Sequence, residues 1–289
     1  MKNLIKVVLG YLGLENFGRA VYARISRRSI WLGHRIQLLL VRNRTLAASS
    51  GDLELILKLL RPEKVGTSLK RLGSNGDGGY LIPDDLIGIG SCFSPGVGEN
   101  SDFEGDLAKL GIKSFLIDGT IEKLPFLDPL FHFTKKNLSV FPTSSSEVTF
   151  DEWVSANSNS ADGDLILQMD IEGTEWGVLM NASNSLLEKF RIITIEFHDL
   201  HLISTKLGFD LIWSVLNKIN KIFVVVHIHP NNWRIPININ GIDIPPILEV
   251  TYLRRDRANF GVVNDFSNAK DVRNMPGLAE ISLSRIWAN

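Results

Sequence analysis

The chain has 289 residues, 44% of them hydrophobic and 22% charged, with a single cysteine and a net charge of −1. That length and balance suit one large α/β domain with an appendage, and nothing in the main body reads as low-complexity or repeated. The lone Cys92 excludes an internal disulfide and a cysteine-built zinc site, which favours a reducing, cytoplasmic setting.

The small net charge hides an asymmetry. Residues 1–44 carry nine Lys or Arg against Glu15 alone, net +8, which leaves 22 basic and 31 acidic residues, net −9, in the remainder. Residues 1–62 therefore read as a basic helical amino-terminal extension and 63–289 as the main domain. Apolar runs in the extension fall short of the ~20 residues that span a bilayer, and no small-residue cleavage site follows them. The arm is expected either to rest on an anionic membrane surface at the inner face, or on a membrane-bound partner, or to pack as a solvated helical pair on the domain. The acidic remainder is a poor surface for a phosphate backbone, so no nucleic-acid partner is expected.

In chain order, helical spacing over 52–60 stops at Arg61-Pro62. The Asn75-Gly76 and Asp77-Gly78 pairs then predict a hairpin or ordered loop ahead of Tyr80. From there strands and helices alternate. Strands are predicted at 87–94, 113–118, 138–141, 165–170, 192–197 and 223–228. Helices fall at 103–110, 150–154, 175–190 and 209–219. The last strand, 247–253, follows a Pro- and Asn-rich stretch (230–246) with no helical pattern, so it should return antiparallel. Six parallel strands and one antiparallel addition make a doubly wound sheet with helices on both faces.

Three predicted strands end in functional side chains, where open α/β sheets keep their ligand crevice. These are Met169-Asp170-Ile171-Glu172-Gly173, Glu196-Phe197-His198-Asp199, and His227-Ile228-His229-Pro230-Asn231-Asn232. The first strand ends in Gly96-Val97-Gly98, a turn free of Cβ atoms at the glycines that lets a cofactor approach the backbone. Asp118 closes the second strand twenty residues later, the place where an acid accepts hydrogen bonds from ribose hydroxyls. Ser101 stands where a dinucleotide fingerprint has its third glycine. Glu99 beside the turn would repel a pyrophosphate but could hold an amine or sulfonium. The predicted cofactor-binding residues are Gly96, Gly98, Glu99 and Asp118.

Gly96-Val97-Gly98-Glu99, Ser101-Asp102-Phe103-Glu104, Asp118, Thr149-Phe150-Asp151-Glu152-Trp153 and Met169-Asp170-Ile171-Glu172-Gly173-Thr174-Glu175 together resemble the FkbM-type S-adenosylmethionine-dependent methyltransferases. The resemblance spans about residues 70–256, and Asp-Ile-Glu-Gly is its most specific part. It implies a Rossmann-like class I methyltransferase fold: a seven-stranded, mostly parallel sheet with an antiparallel last strand. It also implies S-adenosyl-L-methionine as cofactor and methyl transfer to a hydroxyl of a sugar, glycan or related metabolite, as in polysaccharide biosynthesis. The basic extension lies outside it.

A sugar hydroxyl is a poor nucleophile, so the site needs a positioned base, a Lewis-acidic metal, or both. Asp170, His198 and His229 are the predicted catalytic residues. Asp170, Glu196 and His198 are the predicted metal ligands, with Mg²⁺ or Mn²⁺ as the ion where oxygen donors dominate. Each has a duller reading: Asp170 and Glu172 as helix caps, and the histidines as structural. Two rival functions remain open, a nicotinamide-dependent oxidoreductase and a non-catalytic glycan-binding protein on a decayed methyltransferase fold.

Overall fold

The computed structural model describes residues 49–158, 163–262 and 269–287. The expectations for residues 1–48 lie outside the described residues. Helix α1 (Ser50–Leu59) is followed by β1 (Glu63–Lys64) and the hairpin β2 (Leu69–Gly73)–β3 (Gly79–Pro83). Next come β4 (Ile89–Pro95), α2 (Asp102–Lys109), β5 (Lys113–Ile117), β6 (Phe131–Thr134) and the short pair β7 (Asn137–Leu138) and β8 (Glu147–Val148). After α3 (Phe150–Asn157) and β9 (Asp164–Met169) come α4 (Glu175–Asn181), α5 (Asn184–Leu187) and β10 (Phe190–Phe197). Helix α6 (Lys206–Asn220) leads to β11 (Phe223–Pro230), the hairpin β12 (Ile237–Ile239)–β13 (Ile242–Ile244), β14 (Leu248–Arg254) and β15 (Gly261–Val262), which pairs with β1.

Seven strands form the main sheet in the order β11-β14-β10-β9-β4-β5-β6. The pairs β10–β9, β9–β4, β4–β5 and β5–β6 are parallel, whereas β14 runs antiparallel to both β10 and β11. The strand direction read from the sequence is thus borne out, including the antiparallel return. The fold is a mostly parallel α/β sheet compatible with a Rossmann-like methyltransferase.

Period-two alternation sorts the strands onto two faces. Leu165, Leu167 and Met169 of β9, with Ile193, Ile195 and Phe197 of β10, join the larger core with α1, α3, α4 and α6. Ile166 and Ile192 turn to the other face, under Phe103 and Leu107 of α2 and Leu72, Tyr80 and Ile82 of the hairpin. Towards the carboxyl ends the hairpin face becomes polar. Glu196 and His229 both pair in register with Glu249, and Thr194 and His227 with Thr251.

Three expectations are corrected. The third parallel strand is β6, not 138–141; Asn137–Leu138 pairs with Glu147–Val148 in a separate two-stranded ribbon. The predicted helix over 175–190 is two helices, because Ser183 leaves the helical region (ψ 150°) and its hydroxyl accepts from Leu186 N, capping α5; Phe190 already opens β10. The stretch between β11 and β14 contains a hairpin, turned by Asn240 (φ 51°) and Gly241 (φ 87°), the left-handed pair that tight hairpins require. Among the described residues, no helix is long and apolar enough to cross a membrane.

Candidate functional site

The carboxyl ends of β4, β5 and β9 meet around one glycine. Gly96 N–H donates to Ile117 O (3.0 Å), and Asp170 N–H donates to Pro95 O (3.1 Å). A Cβ on Gly96 would fall 1.5 Å from Asp170 O, and the residue has φ 87°, so only glycine allows this approach. Gly98 is also left-handed (φ 55°), with nothing within 4 Å of where a Cβ would stand, so that side of it is open.

Asp118 holds this turn in place. Its Oδ2 accepts from Val97 N (3.1 Å) and Gly98 N (2.9 Å), and its Oδ1 accepts from Thr120 N (2.7 Å) and Thr120 Oγ1 (2.6 Å). Burial works to raise its pKa, but the donors from Thr120, Gly98 and Val97 outweigh it and keep the carboxyl below the ordinary value. The aspartate is therefore structural for the glycine turn as well as a cleft residue.

A cleft of about 1090 Å³ opens here, lined by Gly96, Gly98, Glu99, Asp118 and Asp170 and walled by Leu138, Val140 and Phe141. All four predicted cofactor-binding residues line it. Its acids are Asp77, Glu99, Glu104, Asp118, Glu147, Asp170 and Glu172, against Lys136 as the cationic side chain. Such a lining suits a cationic or neutral ligand and opposes a pyrophosphate.

Asp170 also faces a second group. Asp170, Glu196 and His198 each offer a ligand atom, all within 4.8 Å of one another. His198 Nε2 lies 4.0 Å from Asp170 Oδ1, 3.8 Å from Glu196 Oε1 and 3.5 Å from Glu172 Oε2. Asn231 Nδ2 donates to Glu196 Oε1 (2.9 Å). Asp170 Oδ1 and Glu196 Oε2 are buried without a hydrogen-bond partner among the described residues. Asp170 Oδ1 is thus an orphaned acceptor near the imidazole nitrogen, and two carboxylates with an imidazole are a donor set that a divalent cation satisfies.

Glu175 organises this arrangement. It is fully buried, and its Oε1 receives Ile171 N–H (3.1 Å), Gly173 N–H (3.0 Å) and His198 Nδ1 (3.1 Å). The first two donors wrap the Asp170–Gly173 turn around the carboxylate, and the third orients the ring so that Nε2 points at the acids. Trp176 Nε1 donates to His198 O (2.7 Å) while its ring stacks on Phe197 with centroids 4.2 Å apart. Sequence reasoning missed Glu175's role because an acid in the first turn of a helix ordinarily reads as dipole compensation.

Electrostatics differ among these groups. Burial raises the Asp170 pKa, Glu172, Asp77 and Glu175 add to it and His198 opposes it, for a value of about 7. Burial likewise pushes Glu196 well above the carboxylate range, helped by Asp170 and Glu249. For His198, burial acts downward, but the Glu175 hydrogen bond and the surrounding acids win and raise it to about 9. While no cation is bound, the surrounding acids thus favour the imidazolium form of His198.

His229 is placed elsewhere. Its Nδ1 pairs with Glu249 Oε2 and its Nε2 with Glu280 Oε1, both at 3.2 Å, so neither nitrogen is available to a reacting group. It bridges β14 to the segment 269–287, which Asn232 also clips: Asn232 Nδ2 donates to Met275 O (3.0 Å) and Met275 N donates to Asn232 Oδ1 (2.8 Å). His229, expected to be catalytic, is thus held between Glu249 and Glu280 and is not in the Asp170–Glu196–His198 group. Thr149 and Glu152, read as part of a family motif, form a capping box on α3.

No curated protein matches the chain. Residues 131–223, which run from β6 to the first residue of β11 and include Asp170, Glu175, Glu196 and His198, match the family model described as Methyltransferase FkbM domain.

Proposed function

We propose that the protein is an S-adenosylmethionine-dependent O-methyltransferase acting on a hydroxyl of a sugar, glycan or related metabolite. The observation that carries this reading is the position of Asp170, which lines the glycine-turn cleft and belongs to the Glu196–His198 cluster at the same time. The acidic, phosphate-averse lining and the open side of Gly98 fit a donor with an amine and a sulfonium, and count against a nicotinamide dinucleotide. Bound there, the donor supplies an electrophilic methyl carbon whose leaving group is a neutral thioether.

The chain's own residues supply the rest. Asp118, which receives four donors from Val97, Gly98 and Thr120, fixes the turn against which the donor's ribose would lie. In the cation-free protein burial raises the Asp170 pKa, so that without an ion this carboxylate would take the proton that the acceptor hydroxyl loses. Asp170, Glu196 and His198 would hold Mg²⁺ or Mn²⁺, an ion that acidifies a bound hydroxyl. Glu175 keeps His198 and the Asp170 turn in register. The lone cysteine supports a cytoplasmic location, and the net charge of +8 over residues 1–44 supports contact of the basic arm with an anionic membrane surface.

The test is incubation of the protein with isotopically methyl-labelled S-adenosylmethionine and extract of its native host, followed by identification of the labelled product. Label on a hydroxyl oxygen supports the reading. Label on nitrogen or carbon, or no binding of S-adenosylhomocysteine by calorimetry, defeats it.

A further inference from the structure

Glu172 has a backbone of left-handed conformation (φ 53°), which is unfavourable for a non-glycine L-residue. The shape of the turn is accounted for: the N–H groups of Ile171 and Gly173 converge on Glu175 Oε1, and the residue between them must be left-handed to make that nest. A glycine would make it without the cost. Packing does not account for the side chain either, since it is 88% exposed. What the carboxylate does have is a place in the cleft lining and an oxygen 3.5 Å from His198 Nε2.

That nitrogen is the one facing Asp170 Oδ1 and Glu196 Oε1. Glu196 is 3% exposed, and its Oε2 has no partner among the described residues. We propose that Glu172 is a fourth, cleft-side ligand of a divalent-cation site built with Asp170, Glu196 and His198. Three carboxylates and one imidazole form an oxygen-dominated set suited to Mn²⁺ or Mg²⁺. Glu196 and His198 are held by Asn231 and Glu175, whereas Glu172 lies outside the group of ligand atoms within 4.8 Å of one another and, being exposed, would swing in to reach the ion. The strained residue is then retained because only a carboxylate there closes the site while leaving its cleft side accessible to an acceptor.

This inference rests on the metal part of the proposed function, and the experiment separates the two. Mn²⁺ binding to the full chain is measured by calorimetry for the wild type, Glu172→Gln, Glu172→Gly and Asp170→Asn, alongside thermal melting. The expected result is one Mn²⁺ per chain, weakened about tenfold or more in both Glu172 variants. Glu172→Gly should melt no lower than the wild type, because glycine relieves the backbone. Wild-type affinity in the Glu172 variants overturns the fourth ligand alone. A wild type that binds no Mn²⁺, or an Asp170→Asn variant that binds it undiminished, overturns the cation site itself.

Discussion

Glu175 and His198, 23 positions apart in the chain, share a hydrogen bond of 3.1 Å between a fully buried carboxylate and an imidazole Nδ1. The same oxygen gathers two backbone N–H groups of the Asp170 turn, so one side chain sets the relative position of two strand ends. Glu175→Ala strands three donors and should destabilise the fold by about 3 kcal/mol or more. Glu175→Gln keeps an acceptor of the same shape and should fold, with turnover reduced more than donor affinity. Urea denaturation and steady-state kinetics of both variants check this; an Ala variant as stable as the wild type contradicts the role.

Asp118→Ala removes the acceptor for Val97, Gly98 and Thr120. Donor affinity should fall, and stability should drop by roughly 1–3 kcal/mol through the freed N–H groups. Calorimetric titration with S-adenosylhomocysteine beside a denaturation curve measures both. Unchanged affinity would remove Asp118 from the ribose position.

Asp170→Asn should depress turnover far more than donor affinity. It should also stabilise the cation-free protein at pH 8 by on the order of 1 kcal/mol, because the raised pKa marks an anion that folding disfavours. Equal losses of turnover and affinity, or a variant less stable at pH 8, count against its place at the reacting centre.

His229 has a folded pKa of about 9 against 6.5, burial acting downward and the Glu249 pairing overriding it. A raised value of this kind contributes stability that is fully present below about 6.5 and is lost as pH rises through about 9. Unfolding free energy should therefore decline over that window in the wild type, and the decline should be shallower in His229→Gln. Identical slopes would show that Glu249 and Glu280 do not hold the ring as a cation.

Chelator treatment should abolish methyl transfer, and added Mg²⁺ or Mn²⁺ should restore it. Full activity in chelator would leave Asp170 as an unaided base and exclude the cation from the reaction.

Much of the sheet was legible because buried parallel strands are dense apolar runs that end abruptly in polar residues, as at Met169-Asp170 and Phe197-His198. The edge strand β6 was not: Phe131-His132-Phe133-Thr134 is four residues long and only partly buried, so its apolar signal is weak. The Asp170, Glu196 and His198 grouping was readable from strand-end alternation, and their ligand atoms do meet. His229 obeyed the same alternation but faces a partner, Glu280, from a segment 51 residues further along, which no local pattern reports. Glu175 was hidden for a related reason, since its importance lies in what it receives and not in its residue type.

Because β14 runs against its neighbours, its first residues, Leu248 and Glu249, stand at the edge where the parallel strands finish. The segment before it, residues 231–247, therefore reaches the polar rim directly from β11 and carries its own small hairpin. That hairpin is no free loop, since Ile237, Ile239 and Ile244 belong to the larger core and Asn231 and Asn232 are buried. Changes in that stretch are therefore felt by the core as well as by the rim.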